Sequence, residues 1–222
     1  MILEKLKEFP KQKVLVIITI LSFISFVILT LVMQSIERGL KGSTGYGVME
    51  FEFAWTPEMI REIFSAWGAA GKKKEATATY IDFLYIPSYG LFIAGCILLV
   101  TRKLEGKLQD IGLYMVITPF IAGIFDVIEN INLLLMIGND ASIDMGSPFI
   151  ASLCASIKFG LLFLGICFFI VALIVAPLLA VIGLIIATIT IITCLNIGGC
   201  FENLVQGIVD NFIQGLTPPD YS

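Results

Sequence analysis

Histidine is absent from this chain of 222 residues, and charge of either sign is scarce, with 14% of residues charged against 58% hydrophobic. Without histidine, Ser-His hydrolases, His-ligated zinc sites and His-ligated haem are excluded. Any chemistry must rest on carboxylates, lysine, tyrosine or cysteine. The sequence also lacks a Cys-x-x-Cys pair: Cys96, Cys154, Cys167, Cys194 and Cys200 are scattered through apolar stretches and read as small buried hydrophobes. No metal ligand set and no cofactor motif is visible. Basic clusters are missing beyond Lys72, Lys73 and Lys74, so no nucleic-acid footprint is expected.

What is present is apolar length. Soluble domains are about 45–50% apolar and about 25% charged, and a mean hydropathy of +0.96 cannot furnish a water-soluble shell. The charges fall into short islands between long apolar runs, as wet loops between membrane spans do. The expected fold is all-α: a polytopic transmembrane helix bundle of four core spans plus a C-terminal apolar segment.

Residues 1–13 form a charged cap in which Lys5, Lys7, Lys11 and Lys13 interleave with Glu4 and Glu8, and residues 14–33 are an uncharged first span. The run is too long, and its end too bulky, for a cleaved signal peptide, so a retained anchor is expected. Residues 34–80 are the longest polar stretch. Within it Thr56-Pro57-Glu58 reads as an N-cap, a first-turn proline and an early acid, opening a short amphipathic helix over 57–67 with Gly68 as terminator. That helix either lies on the membrane surface or packs on the bundle end. Just before it, Phe51 and Phe53 alternate with Glu50 and Glu52, which predicts an extended segment.

Spans two to four occupy 81–176: the second over 81–100, the third over 111–137, the fourth from Pro148. The basic loop 102–107 and the N-terminus are expected on the cytoplasmic side, and 34–80 and 138–147 outside. Residues 149–196 would make one helix roughly 70 Å long, more than twice the hydrocarbon core. A break at Ala176-Pro177 is expected, with a fifth apolar segment over 177–198. The acidic tail, 199–222, contains Pro218-Pro219-Asp220-Tyr221, a PPxY pattern more economically read as chance.

An ionisable side chain inside an apolar helix is costly, which makes it a functional candidate by default. Asp82, Tyr85 and Tyr89 fall at i, i+3 and i+7, on one face of the second span, with Pro87 between them. Asp126, Glu129 and Asn130 share a face of the third span, with Asn132 nearby. Lys158 lies in the fourth, with Ser152 and Ser156. These groups are expected to meet in the bundle interior, where Lys158 pairs with Asp126 or Glu129 and a tyrosine closes the network. One lysine cannot neutralise Asp82, Asp126 and Glu129, so an acid stays protonated or a cation supplies the missing charge.

Trp67-Gly68, Asp82-Phe83, Pro87, Tyr89-Gly90 and Asp126-x-x-Glu129-Asn130 together resemble a pattern of small prokaryotic four-span membrane proteins of uncharacterised function, over roughly residues 50–170. The resemblance implies that the acids and Lys158 belong to one core; the stretch beyond Pro177 departs from the four-span plan. In architecture alone the chain is also similar to the emopamil-binding-like group of four-span sterol isomerases and ligand-binding proteins. The function expected is binding or transport of a lipid-like or cationic amphipathic small molecule in the plasma membrane of a prokaryote. Its partners are membrane lipids and that ligand, held by Asp82, Tyr85, Tyr89, Asp126, Glu129, Asn130 and Lys158. The alternatives are an intramembrane enzyme using carboxylate acid/base chemistry on a lipid, as an isomerase does, or an accessory subunit of a membrane complex.

Overall fold

A computed structural model describes residues 2–177, so the fifth segment and the acidic tail expected beyond Pro177 lie outside the described residues. The bundle and its polar interior lie within residues 2–173. Among the described residues seven α-helices run in chain order: α1 (Ile2–Lys5), α2 (Gln12–Thr44), α3 (Val48–Glu52), α4 (Pro57–Thr101), α5 (Gly106–Met115), α6 (Thr118–Gly138) and α7 (Gly146–Pro177). No strand occurs among the described residues. Four stretches are long and apolar enough to cross a bilayer: α2, α4, α5 with α6, and α7. The chain is an integral membrane protein built as an all-α bundle.

α4 and α6 are the inner helices. Their spans are 44% buried, against 17% for α2 and 11% for α7, whose exposed side chains include Ile17, Leu21, Ile28, Leu31 and Phe163. In water such a surface would aggregate; in a membrane it faces acyl chains. Since lipid tails are as apolar as leucine, the helices associate by close packing. At Gly95 of α4 an added Cβ would lie 2.2 Å from Thr19 Oγ1 of α2, and at Gly165 of α7 2.9 Å from Thr118 Oγ1 of α6.

The polar stretch is far more ordered than its composition implies. α2 continues through Arg38 and Lys41 to a left-handed cap at Gly45, whose φ is 82°. The segment expected to be extended around Phe51 is instead the helix α3. Its first turn is closed when Gly47 N–H donates to Glu50 Oε2 at 2.8 Å, while Lys41 holds Glu50 Oε1 at 2.6 Å. That capping outweighs the alternation, which is carried by four residues. The ion pair holds the Glu50 carboxyl below its ordinary pKa.

α4 opens as its sequence demands, with Thr56 accepting from Met59 N–H and Pro57 in the first turn. Gly68 then takes φ 60° and ψ −170°, a region essentially reserved for glycine, so Pro57–Trp67 is a separate short helix in the Pro57–Thr101 run. Its apolar face, Ile60, Ile63, Phe64 and Trp67, is buried against Leu40, Phe51, Leu133, Met136 and Ala151. It therefore packs on the bundle end. Trp67 Nε1 donates to Tyr46 O at 2.9 Å, Arg61 reaches Ile143 O, and Lys72 pairs with Asp140. At the opposite end Arg102 donates to Leu6 O at 2.8 Å and 3.0 Å, tying the N-terminus to the basic loop.

The third span is two helices where one was expected. Pro119 has no N–H to offer Met115 O, and Thr118 Oγ1 donates to that carbonyl at 2.9 Å instead, across the turn at residues 116–117.

Candidate functional site

Lys158, in the fourth turn of α7, is the centre of a buried cluster. Its Nζ lies 2.9 Å from Asp126 Oδ1, 3.0 Å from Glu129 Oε1 and 3.3 Å from Glu52 Oε1. The side chains are 6%, 4%, 0% and 8% exposed in the order Lys158, Asp126, Glu129, Glu52, which makes these pairs unlike exposed ion pairs, since water does not screen them. Tyr89 donates to Asp126 Oδ2 at 2.7 Å, so both oxygens of Asp126 are held. Lys158 Nζ also lies over the Phe159 ring, 5.0 Å from its centroid.

The residues singled out in the sequence do not all join this cluster. Asp126, Glu129, Lys158 and Tyr89 do. Asp82 and Asn130 form a neighbouring buried pair, in which Asn130 Nδ2 donates to Asp82 Oδ2 at 2.6 Å. Tyr85 stands apart from the acids: its hydroxyl meets Thr30 Oγ1 at 3.3 Å, and its ring lies between Phe26 and Tyr89, with centroids 5.3 Å and 5.5 Å away. Asn132 is half-buried, outside the cluster, and bonds its own helix at Ile128 O. Ser156 likewise bonds Ser152 O, but Ser152 Oγ donates to Glu52 O at 2.8 Å and so pins the end of α3 in the bundle.

Glu52 was missed by sequence reasoning, because an extended Phe-Glu-Phe segment in a polar loop has no reason to enter the interior. The signal present was its pair of aromatic neighbours. α3 turns inward, buries Phe51 completely and delivers Glu52 to Lys158. Burial raises the Glu52 carboxyl above its ordinary pKa, opposed by the attraction of Lys158. The Oε2 atoms of Glu52 and Glu129 are buried, and among the described residues neither accepts a hydrogen bond. Lys158 Nζ is 2.9 Å from Glu129 Oε2, yet its donor geometry favours Oε1.

Beside the cluster lies a cavity of about 620 Å³, within the range of about 300–1,000 Å³ usual for small-molecule sites. Its polar lining is Glu52, Glu75, Asp82, Asp126 and Lys158, with Thr30, Gln34 and the two tyrosines; the rest is apolar or aromatic, including Phe26, Met33 and Phe163. Glu75 belongs to the Asp82–Tyr85–Tyr89 stripe, seven residues before Asp82. It falls outside the second span as the apolar run defines it, since that run begins at residue 81. Phe163, Met49 and Phe159 are 70%, 42% and 37% exposed, so the rim carries large apolar groups. Comparison with family models, with curated proteins and with solved structures finds no match for this chain.

Proposed function

We propose that this membrane protein binds or carries a small organic cation with a large apolar body in the cavity between its spans. The observation that carries this reading is the charge of the lining. Leaving Glu75 aside, Glu52, Asp82 and Asp126 face one ammonium, Lys158, in a space otherwise uncharged and mostly apolar or aromatic. A desolvated carboxylate surplus favours a positive ligand, and Phe26, Tyr85, Tyr89 and Phe159 add ring faces of the kind that attract quaternary ammonium groups. The apolar rim favours entry from the lipid phase. Membrane lipids with cationic or amine-bearing groups belong to the same ligand class.

Tetraphenylphosphonium and tetraphenylborate are near-isosteres of opposite charge, and thermal unfolding of the detergent-solubilised protein discriminates between them. Saturating phosphonium is expected to stabilise the wild type by about 2.7 kcal/mol at a hundredfold excess over Kd, with no response to borate. Asp82→Asn and Glu52→Gln are expected to weaken the phosphonium response. Equal stabilisation by the two ions, or a response untouched by both substitutions, contradicts the reading.

For orientation, Lys5, Lys7, Lys11, Lys13, Arg102, Lys103 and Lys107 support a cytoplasmic N-terminus in a prokaryotic plasma membrane. The candidate cavity would then sit nearer the outer face. Labelling of single cysteines placed at Lys7 and at Asp140 in intact cells tests this, and reaction at Lys7 alone overturns it.

A further inference from the structure

We propose that Glu52 and Glu129 hold one proton between them, and that a cation entering the cavity expels it. The inference rests on the cation-binding reading and adds the exchange that accompanies it.

Three buried carboxylates surround one ammonium, and two of them present Oε2 atoms that accept no hydrogen bond from a described residue, although the Lys158 ammonium stands 2.9 Å from that of Glu129. Those two carboxyls converge on the same ammonium, with Glu52 Oε1 3.3 Å and Glu129 Oε1 3.0 Å from Lys158 Nζ. Like charges crowded against one buried ammonium do not all ionise, and one proton on this pair neutralises one carboxylate and gives an orphaned oxygen a hydrogen of its own. Asp126 is not the holder, because its oxygens already accept from Lys158 and Tyr89.

With that proton in place the cluster of Lys158, Asp126, Glu52 and Glu129 carries a net charge of about −1, from one ammonium against two ionised equivalents. Of the pair, Glu52 lines the cavity and Glu129 lies behind it. A cation arriving beside Glu52 stabilises its carboxylate and makes the proton redundant. The O–H bond breaks, the proton leaves to water, and Glu129 remains as a carboxylate against the Lys158 ammonium, which keeps its three hydrogens. With the bound cation counted, the charge of the site is the same before and after, so the exchange adds no charge to the dry interior.

The charged and titratable groups facing the pair are Lys158 and Cys154 from α7, Asp126 from α6, and Asp82, Tyr89 and Glu75 from α4. The α2 residues that line the cavity are uncharged. Asp82 is the competing proton source, but Asn130 already satisfies one of its oxygens.

The test uses the full chain in detergent, weakly buffered near neutral pH with an indicator dye, and tetraphenylphosphonium as the probe. About one proton is expected per cation bound, with apparent affinity rising about tenfold per pH unit. Infrared difference spectra of the wild type should show loss of a protonated-carboxyl carbonyl band on binding. Glu129→Gln should bind the cation without releasing a proton, and its affinity should become pH-independent. Binding by the wild type with no proton released and no carbonyl band lost overturns the exchange and leaves the binding reading standing. Release undiminished in Glu129→Gln overturns it too, by assigning the proton to another group such as Asp82. Failure of the wild type to bind the cation defeats both.

Discussion

Replacing Lys158 with methionine keeps much of the side-chain length and removes the charge on which the cluster is balanced. Glu52, Asp126 and Glu129 then lose donors at 3.3 Å, 2.9 Å and 3.0 Å while remaining buried. Removing one partner from a buried pair costs about 3–5 kcal/mol, mostly as the penalty of the charges left behind. The same change at Lys7, whose pair with Asp110 is 33% and 62% exposed, should cost less than about 1 kcal/mol. Unfolding by graded addition of dodecyl sulfate, followed by circular dichroism in mixed micelles, reads both values on one scale. Adding Glu129→Gln and Asp126→Asn to Lys158→Met removes two of the three stranded carboxyls and should restore a large part of the loss, a coupling well above the roughly 0.5 kcal/mol expected of independent sites. Lys158→Met within about 1 kcal/mol of wild type, or no recovery in the triple variant, would refute the picture of a dry, mutually dependent cluster.

Tyr89→Phe removes the 2.7 Å hydrogen bond to Asp126 and should cost about 1.5–3 kcal/mol in the same unfolding assay. Tyr85→Phe, whose hydroxyl touches no acid, should cost less. Gly68→Ala forces a side chain into φ 60°, ψ −170° and should destabilise by about 1–3 kcal/mol, with a shift in Trp67 fluorescence as its contact with Tyr46 loosens; an unchanged protein would mean that the helix break is not obligatory. Gly95→Ala drives a methyl against Thr19 and should cost about 1–3 kcal/mol, recovered when Thr19→Ala is added. No recovery would place the cost elsewhere than in the α2–α4 contact.

The sequence made the membrane class legible because four apolar stretches of bilayer length leave no soluble alternative. The helical spacing of Asp126, Glu129 and Asn130, and of Asp82 and Tyr89, located most of the buried polar groups for the same reason: a charge in a span has nowhere to go but inward. The pairing within that set was less legible. Tyr85 and Tyr89 share a face, yet Tyr89 reaches Asp126 while Tyr85 turns to Thr30 of α2, a choice set by how α2 packs. Glu52 was hidden by a different cause. Its entry depends on contacts distant in sequence, Ser152 and Lys158, and on a glycine-capped turn of helix too short for periodicity to register. The break at Val116–Ile117 was in principle readable from Thr118-Pro119, since the proline leaves a carbonyl that the neighbouring hydroxyl is placed to satisfy.

The most direct test of the central claim is photolabelling in lipid nanodiscs with a diazirine-bearing hydrophobic tertiary amine, mapped by mass spectrometry. The account predicts labels on cavity residues such as Phe26, Met33 and Tyr85, suppressed by excess tetraphenylphosphonium and weakened by Asp82→Asn. Labels spread over lipid-facing positions such as Leu84 and Ile124, indifferent to both the competitor and the substitution, would contradict it.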